Sequence, residues 1–278
     1  MKLFLGLLKE LRWGDFSLLS LYISVLSGVV VGYQYDPAAP LYSVSTLDML
    51  VPYGEYFRSL HFYSSQLFFL FCICHLIAIF EKTVDYSSKR WIMLTATLPV
   101  ALLILFTGYI LRGDATGFSA GMIAEAILLD IPYVGKNIND LFFSISDNGM
   151  KRIYINHIIG FGILWGWLAW SHVKKYRVTF NRHVILSISI FTFSILVAAP
   201  FEPDHLGVVY IAGPWFFLGL QELLRYLPPI LAGVVYPASF IVAIAFLQKK
   251  HRLFTPLLVF IIFWLFTYGI LTILALNR

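Results

Sequence analysis

Charge is what this chain has least of. Only 13% of its 278 residues are Asp, Glu, Lys or Arg, about half the roughly 25% of an ordinary soluble domain. Cysteine is as scarce: Cys72 and Cys74 are the two present, two positions apart, and neither CxxC nor CxxCH occurs. Cysteine metal sets, disulfide scaffolds and covalent cofactor attachment by that motif are excluded. There is no pool of basic residues either. The pI is about 9.1, but the 20 Lys and Arg are scattered, so no nucleic-acid partner is indicated. What is abundant is apolar: 59% hydrophobic residues, 17% aromatic and a mean hydropathy of +0.80. The chain reads as an all-α integral membrane protein.

A bilayer core takes about 20 apolar residues per helix, and about seven spans are expected, near residues 16–33, 58–80, 91–110, 153–173, 183–200, 230–247 and 254–275. Residues 1–15 alternate apolar and charged positions and are expected as an amphipathic surface helix, without the small-residue cleavage site of a signal peptide. Three parts follow: this helix, a four-helix core over 16–182, and a C-terminal part over 183–278 carrying helices 5–7 and an outer surface loop. Segments 1–15, 81–90, 174–183 and 248–253 hold thirteen of the twenty basic residues, whereas 34–56 holds none. The positive-inside rule then puts the N-terminus in the cytoplasm, the C-terminus outside and the long loops 34–56, 111–152 and 201–229 on the outer face. Stretches 120–131 and 215–227 are expected there as short surface helices.

Ionisable residues inside spans are costly and mark function. His61 and His75 lie fourteen residues apart in the second span, and His157 and His172 fifteen apart in the fourth. At 3.6 residues per turn each pair falls on or near one helix face, the members about 21 Å apart along the axis. Two facing helices then present one His–His pair per leaflet, His61 with His157 outside and His75 with His172 inside. That suits two non-covalent b haems with bis-histidine ligation, held between helices 2 and 4 and moving electrons without an open iron position. Intramembrane histidines of a transporter or proton path are the alternative. Arg58, one turn before His61, is placed to meet a haem propionate. Gly14, Gly28 and Gly108 would let a flat macrocycle approach the backbone.

These residues resemble the cytochrome b/b6 family of quinol–cytochrome c type oxidoreductases. The resemblance includes Arg58-Ser-Leu-His61, Thr107-Gly108-Tyr109-Ile110-Leu111, Ile131-Pro132-Tyr133-Val134-Gly135 and Trp215-Phe216-Phe217-Leu218. It implies two b haems of iron on the four histidines, with a quinone or quinol as substrate. It also implies a multi-subunit respiratory complex in a membrane such as the bacterial inner membrane, with an iron–sulfur protein or c-type cytochrome on the outer face. The departures are specific. The family's Pro-Glu-Trp-Tyr, with its quinol-site glutamate, stands here as Gly213-Pro214-Trp215-Phe216. Its Pro-Trp-Gly stands as Arg112-Gly113-Asp114, and one glycine of the third span as Leu94. Candidate proton handlers are Asp114, Glu202, Asp204 and His205 outside and His183 inside. A membrane subunit of a dehydrogenase or reductase, using both haems without bifurcation, is the alternative within the redox class.

Overall fold

The computed structural model describes residues 11–145, 149–202 and 211–278. The helices run α1 Trp13–Tyr33, α2 Pro40–Leu50, α3 Gly54–Ile79, α4 Ser88–Ile110, α5 Ala115–Leu129, α6 Gly135–Phe142, α7 Met150–Val173, α8 Val184–Leu196, α9 Leu218–Leu223, α10 Leu231–Phe246 and α11 Phe254–Leu276. A 3₁₀ turn, Phe80–Thr83, continues α3. The described residues are all-α. Most of residues 1–15 lies outside them; Trp13 already belongs to the first span.

Five helices are long and apolar enough to cross a membrane: α1, α3 with its 3₁₀ turn, α4, α7 and α11. The other two expected spans are present as shorter apolar helices, α8 and α10. The fifth span, expected to reach residue 200, ends at Leu196 for a visible reason. Val197 turns extended, and the carbonyls beyond it accept bonds from α3 instead of closing another turn. Tyr63 Oη donates to Ala198 O at 3.0 Å and Arg58 Nη2 to Ala199 O at 3.0 Å, while Ala199 N donates to Ser59 Oγ at 2.8 Å. The stretch near 120–131 is α5, and α9 lies within 215–227.

The chain divides into two compact units. One comprises the described residues up to Asp36 with Tyr42–Leu105 and Ile163–Phe201; the other comprises Pro37–Leu41, Phe106–Gly162 and Glu202–Arg278. The first unit is organised on the packing of α1 against α3. Its α1 buries Ser17, Ser20, Ser24 and Ser27, small residues at steps of three and four that bring two backbones close together. Ser17 Oγ donates to Phe68 O at 3.5 Å and Ser27 Oγ to Ile23 O at 2.7 Å, which offsets part of the polar cost of close approach, while Ser20 Oγ is buried without a hydrogen-bond partner among the described residues. Leu19, Ile23, Leu60 and Ile190 form the apolar core beside them. In the second unit α9 packs on α11: Gly219 leaves room for Tyr268, whose hydroxyl donates to Phe216 O at 2.6 Å.

Helix α7 contains a local change of pitch. Asn156–Gly160 is a π-turn, with His157 in it. Fifteen α-helical residues overshoot four turns by about 60°. A π-turn takes one residue more per turn.

Candidate functional site

Within the first unit His75 and His172 face one another, ring centroids 5.8 Å apart and planes at 52°. Two imidazoles bonded to one metal at about 2 Å each stand about 6 Å apart between ring centres, so the pair could hold one metal ion between them. Around them is a cavity of ≈ 320 Å³ lined by Gly14, Asp15, Cys72, Leu94, Trp165 and Tyr176 among others. Most of this lining is apolar, the surrounding that holds a hydrophobic macrocycle and tunes its potential. The donor set and the cavity fit a haem here.

His61 and His157 belong to different units and are each described in their own. In the first unit His61 Nδ1 lies 2.8 Å from Ser24 O. A carbonyl only accepts, so Nδ1 carries the proton and Nε2 keeps the lone pair that a metal needs. In the second unit His157 Nδ1 lies 3.1 Å from Thr107 Oγ1. Such bonds fix ring orientation and strengthen a histidine as a ligand.

The three glycines expected to let a macrocycle approach the backbone lie beside the span histidines. Each stands against the edge of a histidine ring. A Cβ would come 2.9 Å from His75 Cε1 at Gly14, 2.8 Å from His61 Cε1 at Gly28 and 2.9 Å from His157 Cε1 at Gly108. The missing side chain makes room for the imidazole, because closely packed backbones leave no width for both. Gly28→Ala is therefore expected to push His61 off Ser24 O and lower its haem occupancy while the His75–His172 site stays filled. An unchanged haem-to-protein ratio and spectrum in that variant would sink this reading.

Arg58 is buried and largely committed to protein groups. Nε and Nη2 grip Asp48 at 2.7 and 2.6 Å, Nη2 also donates to Ala199 O and Nη1 to Pro200 O at 3.3 Å. The guanidinium has five N–H donors, so one is left for an anionic group. Asp114 is also enclosed, 1% exposed. Its Oδ1 caps α5 by accepting from Gly117 N at 2.9 Å and from Thr116 Oγ1 at 3.1 Å; Oδ2 accepts from Glu202 N at 2.9 Å and from Arg112. Four donors fill the acceptor positions of a carboxylate. The structure thus brings Asp114 and Glu202 together through backbone, and Ala115 N returns a bond to Glu202 O at 3.1 Å. Asp204 and His205 lie outside the described residues. Pro214 opens a turn in which Phe217 N donates to its carbonyl at 2.7 Å, and Phe217 packs edge-on against Phe106.

His183, expected at the inner end, is paired. Its Nε2 lies 3.2 Å from Asp15 Oδ2, which Arg12 also holds at 2.7 Å. The sequence alone does not single out Asp15, because the first span is expected to begin after it, whereas the helix already starts at Trp13. Ser24 is not singled out either. The small-residue steps from Gly14 to Gly28 were the available pattern.

The sequence pattern of the Cytochrome b/b6/petB family matches residues 8–173, a stretch containing all four span histidines. The chain is 23% identical over 284 residues to a cytochrome b of Bugula neritina, covering 86% of this chain and 76% of that protein. It is 25% identical over 153 residues to a cytochrome b6 of Heliomicrobium gestii, covering 52% and 72%. In fold it is similar to a chain of a solved structure described as a hyperthermophilic respiratory Complex III, with a TM-score of 0.68 and 19% identity over 95% of this chain and 82% of that one. The family pattern spans more than half of the chain, and the protein belongs to the cytochrome b/b6/petB family.

Proposed function

We propose that this cytochrome b carries electrons across the membrane between a quinone/quinol pool and a redox partner, through two non-covalent b haems. The opposed imidazoles of His75 and His172 carry the proposal, as the residues that would hold the inner haem. His61 and His157, each with a glycine at its ring edge and a bond at Nδ1, are assigned to the outer haem on the family's pattern. When bound, a bis-histidine haem supplies a one-electron couple without an open iron position. The residues present do the rest: glycines and serines admit the imidazoles, and apolar side chains exclude water.

Quinone chemistry also moves protons. At the inner end His183 is assigned as the proton donor, with Asp15 orienting its ring. Removal of a general acid costs typically 10²–10⁴-fold, so His183→Ala is expected to lower quinone reduction at that face by about 10²-fold with both haems retained. Undiminished turnover takes His183 out of this role. At the outer face Glu202 is the candidate acceptor and Asp114 its anchor. An iron–sulfur protein or c-type cytochrome is the proposed outer partner in a multi-subunit complex, with lipid around the spans. The N-terminus is assigned to the cytoplasm of a bacterial inner membrane, the C-terminus to the outside.

A second reading has its own observation. With Pro214 in the quinol-site motif and the Asp114 carboxylate fully engaged, two outer acid positions are closed to proton transfer. That favours a non-bifurcating subunit of a dehydrogenase or reductase. Haem extraction and a reduced-minus-oxidised difference spectrum of the purified protein test the common core. Two b haems per chain are expected; none would return the histidines to a haem-free transporter.

A further inference from the structure

Three of the four span histidines have a glycine against the ring; among the described residues none stands against His172. Counting back fourteen residues from Gly108 along α4 gives Leu94, and Leu94 lines the same cavity as His172. The anchoring of the rings differs in a second way. His61 and His157 each have an oxygen at Nδ1. Among the described residues no hydrogen bond reaches the ring of His75 or of His172. His75 is held in the notch left by Gly14. His172 has packing alone, with the Tyr176 ring at 5.2 Å and 46° on one side and the cavity with Leu94 on another.

We infer that Leu94 is a positioning residue for the inner haem: its side chain sets the rotation of the His172 imidazole, and so the 52° angle between the two axial ring planes. This rests on the reading of His75 and His172 as axial ligands. The physical link is orbital. Each imidazole donates π density from the orbital normal to its plane into one of two iron d orbitals. The angle between the planes decides how unequal those two orbitals become. That inequality sets the low-field resonance of the ferric low-spin iron, and it shifts the balance between ferric and ferrous states. A glycine would leave His172 more room toward α4 than does the leucine isobutyl group lining the same cavity.

The test uses the purified protein with both haems bound. The inner resonance is first assigned as the one missing from His172→Ala. In Leu94→Gly and Leu94→Ala the low-field resonance and midpoint of the inner haem are expected to shift while those of the outer haem stay in place. Leu94→Ile, which keeps the bulk, is expected to hold the inner resonance near the wild-type position. Because glycine weakens a helix interior, the alanine variant decides alone if the glycine variant does not accumulate. An unmoved inner resonance, or an equal shift of both haems indicating general repacking, overturns the inference. If instead His172→Ala keeps both resonances, the ligand assignment itself fails, which is a separate result.

Discussion

His172→Ala is expected to leave the purified protein with one b haem of two. The imidazole of His75 alone then offers a single axial bond, and the alanine opens further space in a cavity already ≈ 320 Å³ in volume. Outer-haem absorbance should persist, because Ser24 and Thr107 hold His61 and His157 at positions the substitution does not touch. Electron delivery from the outer face to a quinone at the inner face is expected to fall to background. Free imidazole added to the variant should restore part of the lost spectrum by occupying the vacated position. His75→Ala should behave in the same way. If either variant keeps two haems with unaltered bis-histidine spectra, His75 and His172 do not ligate the same iron.

The largest stability effect is expected at Asp114. Its carboxylate is fully buried, and Arg112 beside it is nearly so. Asp114→Ala leaves the guanidinium with Thr116 at 3.2 Å and the face of Tyr109 at 4.7 Å. Breaking one side of a buried pair costs about 3–5 kcal/mol, because the remaining charge has no equivalent partner. The same change removes the cap of α5, worth about 1 kcal/mol, and the Oδ2 acceptor that ties Glu202 N to the helix start. A fall in the thermal midpoint of the detergent-solubilised protein reads the combined effect. Asp114→Asn retains the cap acceptor and should lose less. The reading is wrong if the alanine variant melts with the wild type. Haem content discriminates further, since an anchor of the outer segment should cost stability before it costs the inner haem.

Much of this was legible in the residues. The apolar runs located the spans because the requirement for intrahelical bonding in lipid acts on each segment by itself. The histidine steps pointed to two sites because helical periodicity is equally local. Arg58 and Asp114 show where such reasoning stops. Both were read as groups facing a cofactor or a quinol. In the fold their partners are Asp48 and the carbonyls of 199–200 for one, and Gly117, Thr116, Arg112 and Glu202 for the other. The carbonyls of 199–200 and Glu202 are distant in sequence, and nothing near Arg58 or Asp114 announces them. The engagement of a buried charge depends on which donors the fold brings within about 3 Å, and spacing does not contain that.

By itself the sequence determined the membrane setting, the all-α class, the approximate spans and the four histidines, since burial in lipid and helical pitch are properties of a segment. Tertiary structure decided the rest. It put the glycines against imidazole edges, since the distance between packed backbones determines which group fits the gap. It ended α8 at Leu196 by drawing three carbonyls toward α3. It gave His183 its partner in Asp15, and it placed a π-turn at His157. Where few charges exist, their number is a local fact and their use is a matter of neighbours.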